Sequence, residues 1–260
     1  MDAAEKDTAE KDTVRFRVSL VVLPVDDFTG NPITGSQVRV FIPGQKPPVI
    51  KSDGYHVFLN LQEPQVEVCC ESGLYGPRRE EVVLPAGAEP LVIKLRLSPN
   101  ASYPMPPGAT CVAGRAEPGR RIRFRCADSG ETYRLSREYQ HTGEEKDTLC
   151  IFNPNHRELE GKTMFIQGKD GKQEYFTAAG LKEEGCRLAE PLQHDYKKVG
   201  TVLYPVFETY TSPKGDFFLL LGSGREGETT WLWEMEGKEG LREAVLAPGR
   251  INRLLWKEEM

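Results

Sequence analysis

Apolar and polar residues alternate along this chain in short runs, and turn residues end each run before a helix-length segment builds up. Val38, Val40 and Ile42 alternate with Gln37, Arg39 and Phe41. Val66, Val68 and Cys70 alternate with Glu67, Cys69 and Glu71, and Ile122, Phe124 and Cys126 with Arg121, Arg123 and Arg125. A period of two places each set on one face of an extended strand. The 25 glycines and 19 prolines cut the chain into such pieces. The fold class this predicts is all-β, built of tandem β-sandwich domains.

Residues 51–58, Lys-Ser-Asp-Gly-Tyr-His-Val-Phe, join a turn to a strand. Asp53-Gly54 is a tight-turn signal, because glycine accepts the positive φ such turns need. Alternation then assigns Tyr55, Val57 and Leu59 to a core face and His56 and Phe58 to the other. Residues 211–219 repeat the pattern, with Gly215 leading into Phe217, Phe218 and Leu219. This echo suggests a second, divergent sandwich.

In chain order, residues 1–13 hold a direct repeat, Ala-Glu-Lys-Asp-Thr twice, too polar to offset its ordering entropy. A disordered tail, or a weak helix with a docking role, is the expectation. Strand patterns fill 14–98, including Phe16, Val18, Leu20 and Val22, and later Leu91, Ile93, Leu95 and Leu97. Four prolines in 99–108 predict an extended, semi-rigid linker. Residues 109–260 then form a second all-β domain, with 109–198 and 199–260 as alternative sub-units. Within it, Asp128-Ser129-Gly130 is read as turning the strand ending at Cys126 back into Tyr133 and Leu135. Residues 164–167 and 174–177 flank Gly168-Lys169-Asp170-Gly171-Lys172 as a hairpin. Residues 181–198 are given one short helix, and Trp231, Trp233 and Met235 share a strand face that 241–246 pairs with.

The first domain resembles the carboxypeptidase regulatory-like domain, a transthyretin-like β-sandwich. Gly30-Asn31-Pro32-Ile33-Thr34-Gly35-Ser36-Gln37-Val38-Arg39-Val40 matches that family's opening segment. Ser52-Asp53-Gly54-Tyr55-His56-Val57-Phe58 is a shortened form of its turn and following strand. The family's next glycine-led strand is replaced by Glu63-Pro64-Gln65-Val66-Glu67-Val68, which lacks the glycine. The resemblance implies an accessory or ligand-presenting module with no active site of its own, hence an architecture and not a reaction.

Chemistry-bearing residues are scattered. His56, His141, His156 and His194 form no metal-protease pattern, and no nucleophile elbow, Walker loop or dinucleotide fingerprint occurs. Cys69, Cys70, Cys111, Cys126, Cys150 and Cys186 include no C-x-x-C pair and read as reduced, buried thiols. Asp26, Asp27 and Asp53 read as turn-formers, with calcium coordination the alternative. Arg121, Arg123 and Arg125, with Arg115 and Arg120, read as a solvated strand edge or a contact for an acidic partner. Trp231 and Trp233, with Tyr204 and Tyr210, read as core, with a sugar platform the alternative.

A net charge of −5 argues against nucleic acid and against an anionic bilayer. No window approaches the roughly 18 apolar residues of a spanning helix. Residues 1–13 hold no apolar signal core, which points to a cytoplasmic protein, released as part of an assembly if at all. The functional expectation is a non-catalytic structural or binding protein without catalytic, cofactor or metal residues. Its partners would be other proteins, in an assembly such as a phage-tail-like or contractile-injection particle. The alternatives are a carbohydrate-binding protein and an enzyme whose site gathers His56 or His194 with a carboxylate and a nucleophile.

Overall fold

The computed structural model describes residues 16–86, 89–127, 132–153, 159–182, 185–223 and 226–255. The expected 1–13 tail, the 128–130 turn and His156 lie outside the described residues. Strands carry the fold, and the one helical turn described is a 3-10 turn at Gly35–Gln37. Among the described residues no helix is long and apolar enough to cross a membrane.

Seven strands build the N-terminal sandwich: β1 (Val18–Asp26), β2 (Arg39–Phe41), β3 (Val49–Ile50), β4 (His56–Leu59), β5 (Gln65–Glu71), β6 (Arg78–Val83) and β7 (Leu91–Leu97). One sheet runs β3-β4-β1-β7 and the other β2-β5-β6, with β1 and β7 parallel. The inward alternation expected for Val38, Val40, Ile42, Val66, Val68 and Cys70 is what the core contains, beside Leu20 and Val22.

The face of β4 differs from the expectation. His56 and Phe58 are buried at 1% and 2% exposure, and Val57 and Leu59 are half-exposed. The cause is the turn. Lys51 N–H donates to Tyr55 O (2.8 Å) and Gly54 N–H to Lys51 O (3.1 Å), so Tyr55 still belongs to the turn. Pairing starts with His56 opposite Ile50 and Val22. A one-residue change of register moves every side chain to the other face.

A second sandwich follows, in two pieces of chain. β8 (Ala109–Arg115), β9 (Arg121–Cys126), β16 (Phe207–Tyr210), β17 (Asp216–Ser223), β18 (Thr229–Met235), β19 (Arg242–Leu246) and β20 (Ile251–Leu255) form sheets β17-β8-β20 and β16-β9-β18-β19. The wiring repeats the first sandwich. β8 takes the place of β1, antiparallel to β17 and parallel to the last strand, β20. β9, β18 and β19 match β2, β5 and β6. β16 departs from its counterpart β3, because it joins the β9 sheet instead of the β8 sheet.

The echo occupies the same place in both sandwiches. Ser212 N–H donates to Asp216 O and Gly215 N–H to Ser212 O, both at 2.8 Å, just before β17. The barrel hairpin at 168–172 has the same turn. The shared strand order, and not the turn alone, therefore relates the two sandwiches.

Between β9 and β16 the chain leaves to form a closed six-stranded barrel. Its strands are β10 (Tyr133–Leu135), β11 (Thr148–Phe152), β12 (Thr163–Gln167), β13 (Gln173–Lys182), β14 (Gly185–Leu188) and β15 (Val202–Pro205). It has its own core of Leu149, Met164, Ile166, Phe176 and Leu203. The sheets therefore do not divide at residue 198, since β8 and β9 pair with strands beyond 206. β10 does not return onto β9; it pairs with β11 and β15. In place of a helix, the described residues of 181–198 hold the end of β13, then β14 and a loop. That loop is tied by Glu174, whose carboxylate accepts from the Gln193 and His194 backbone N–H groups and from Tyr196 Oη.

Candidate functional site

The arginines of β9 occupy the sheet face that meets the barrel. Ile122, Phe124 and Cys126 point into the sandwich core, so Arg121, Arg123 and Arg125 point the other way. β9 is an inner strand between β16 and β18, not the solvated edge expected. Arg125, 8% exposed, lies 3.9 Å above the Phe165 ring and donates to Tyr175 Oη at 3.1 Å. Arg123 lies 4.4 Å above the Tyr175 ring, and Arg121 lies 5.3 Å from Tyr210. Guanidinium planes stack on aromatic faces while their donors stay free for carboxylates. Tyr175 is pushed up to about 12, chiefly by burial, and stays a neutral phenol.

Glu208 on β16 is where the three modules meet. One carboxylate oxygen accepts from Arg78 of the N-terminal sandwich (2.9 Å) and from Thr163 of the barrel (3.1 Å). The other lies 3.7 Å from Arg123 Nε of its own sandwich. Its backbone carbonyl accepts from Ser98 Oγ at 2.8 Å. Burial raises the Glu208 carboxyl, but Arg78, then Arg121 and Arg123, outweigh it and hold it below the usual range. Arg78 also donates to Glu80 at 2.9 Å. Alongside, Arg96 donates to Glu160 O (2.7 Å) and faces Asp27 (3.6 Å), and Lys94 pairs with Glu160 at 2.6 Å. The cavity between these groups is about 50 Å³, a space for water and not for an organic ligand.

A second knot ties the linker. Asp26 is 5% exposed and accepts from the Phe28 and Thr29 N–H groups and from the hydroxyls of Tyr75 (3.2 Å) and Tyr103 (2.6 Å). Asn100 N–H bonds to Leu74 O, and its side-chain amide to Gly73 O and Tyr75 O. Residues 99–108 thus form a fastened corner, with Tyr103 and Met105 packed on Cys111 and Leu220.

Other singled-out residues stay apart. Asp53 is exposed on its turn and Asp26 is buried, and among the described residues no three or more His, Cys, Asp or Glu side chains gather as they would around a metal ion. His56 is buried, with Nδ1 3.0 Å from Gly54 O; burial lowers its pKa, against that hydrogen bond. His141 sits on Asp195 (2.7 Å) and His194 on Glu174 (3.2 Å), each a local pair of histidine and carboxylate. All six cysteines are free and buried, and burial takes Cys70 and Cys186 up to about 12. Trp231 and Trp233 are core residues at 0% and 3% exposure, Trp233 stacked on Phe124 at 5.5 Å. Core packing, the first reading of these two tryptophans, is what the structure shows, and they form no exposed sugar platform.

Glu208 carried no sequence signal. It is one acidic residue in a four-residue strand, and only the folded partners distinguish it. The arginine stripe was legible, but not its aromatic cover. Compared with protein-family models, curated proteins and solved structures, the chain matches none.

Proposed function

We propose that this chain is a non-catalytic structural and binding protein, a stiff three-module β body acting in the cytoplasm as a component of a larger protein assembly. A phage-tail-like or contractile-injection particle is the kind of assembly meant. The observation that carries this reading is the Glu208 junction, where one buried carboxylate engages all three modules through Arg78, Thr163 and Arg123. Charged groups this buried lose their partners if a module swings, at a cost of several kcal/mol. Such a joint suits an element that transmits position and disfavours hinge closure around a substrate. The carboxylates of Glu208, Asp26 and Glu174 are each engaged in hydrogen bonds that organise backbone and modules.

The test is sedimentation of an extract from the source cells. Recovery of the chain in particles far heavier than its own 29.2 kDa supports the reading. Recovery only at the position of the free chain overturns it.

A further inference from the structure

The outer face of the β3-β4-β1-β7 sheet carries a row that no sequence pattern announces. Val49 pairs with Val57, Val57 with Val21, and Val21 with Val92, so four valines cross all four strands side by side. They lie opposite the core face, which holds Leu20, Val22, Phe58 and Leu95. Val49 and Val92 are 45% and 58% exposed, and Val21 and Val57 are half-exposed. Two and four residues along β1, on the same face, Leu23 and Val25 are buried. Their row neighbours Lys94 and Arg96 are the residues that grip Glu160 of the barrel. One half of this face is thus an interface within the chain, and the valine half continues it uncovered.

We propose that the uncovered half is a docking face for an apolar strip of another protein edged with acidic side chains, within the assembly proposed above, on which this inference rests. Exposed Lys46 and Lys51 flank the outermost strand, Val49–Ile50, and supply the complementary charge. Strand addition at the β3 edge is not the mode: β3 is only two residues long and follows Pro47-Pro48, features that blunt an edge. A second copy is a poor occupant. At strand spacings of about 4.8 Å the open half measures on the order of 250 Å², against roughly 800 Å² per partner in a standard stable interface. The face binds weakly by itself and gains strength beside other contacts, as in an assembly.

The full chain is titrated with two fluorescein-labelled peptides, one alternating valine with glutamate, the other valine with lysine. The glutamate peptide binds saturably and at least ten-fold more tightly. Val49→Asp with Val92→Asp weakens it ten-fold or more while circular dichroism stays unchanged; Val92→Asp alone serves if the pair fails to fold. Lys46→Glu with Lys51→Glu reverses the preference between peptides. Equal binding of both peptides, or binding that the aspartates leave intact, overturns the proposal. So does a concentration-dependent dimer that Val92→Asp abolishes, which assigns the face to a second copy. Sedimentation of the Val49→Asp/Val92→Asp chain separates the two readings. Undiminished incorporation into heavy particles sinks the docking face alone, whereas a wild-type chain found only free sinks the assembly.

Discussion

Gly54 and Gly215 show how much one backbone position can demand. Both have positive φ, 94° and 83°, and an added Cβ would strike a backbone carbonyl, that of Ile33 and of Ala116. Gly171 has φ 86° but open space around it. Substitution by alanine therefore costs about 1 kcal/mol at Gly171, from φ alone, and about 2–4 kcal/mol at Gly54 and Gly215, where the backbone must also shift. Urea unfolding of the three variants measures this, and equal losses at all three would remove the carbonyl contact from the account. His56 makes a second case. Its pKa is lowered by burial from 6.5, so the unfolded chain binds a proton more readily. Stability linked to His56 is therefore present above about pH 6.5 and is lost as pH falls through the lower folded value. His56→Leu gives up the bond to Gly54 O but flattens the slope of stability below pH 6.5. An unchanged slope in urea midpoints between pH 7 and 5 would contradict the buried neutral histidine.

Strand β9 carries two messages on its two faces. The apolar face was readable at once, because Ile122, Phe124 and Cys126 alternate without interruption. The arginine face was readable only as charge. Whether such a face meets solvent or rings depends on what lies over it, and Phe165 and Tyr175 come from about 40 to 50 residues away in a separate barrel. Arg125→Met and Phe165→Leu, singly and together, should reveal a coupling of about 1–2 kcal/mol in a double-mutant cycle. Additive losses would mean that the 3.9 Å approach is mere proximity. The barrel hairpin 164–177 was legible because its glycine turn and flanking alternation are local. Tyr133–Leu135 was misassigned because its partners, Phe152 and Leu203, are distant in sequence.

The three modules keep separate cores but share buried charges. Glu208→Gln leaves Arg78 and Arg123 facing a neutral amide, and costs about 3 kcal/mol by the rule for breaking a buried pair. Calorimetry should show one transition for the wild-type chain and resolved transitions for Glu208→Gln, as the modules uncouple. A single, merely lowered transition would place the coupling elsewhere, in the Asp26–Tyr103 knot.

Local chemistry by itself determined the all-β class, most core faces, the glycine turns and the fate of the cysteines, because alternation and turn preference act within a few residues. Tertiary structure alone decided four things: which face of β4 is buried, that a barrel interrupts the second sandwich, that the arginine stripe stacks on rings, and that Glu208 joins the modules. Each depends on strands that pair across long stretches of chain, and a one-residue register or a distant partner leaves no trace in the pattern of its own segment.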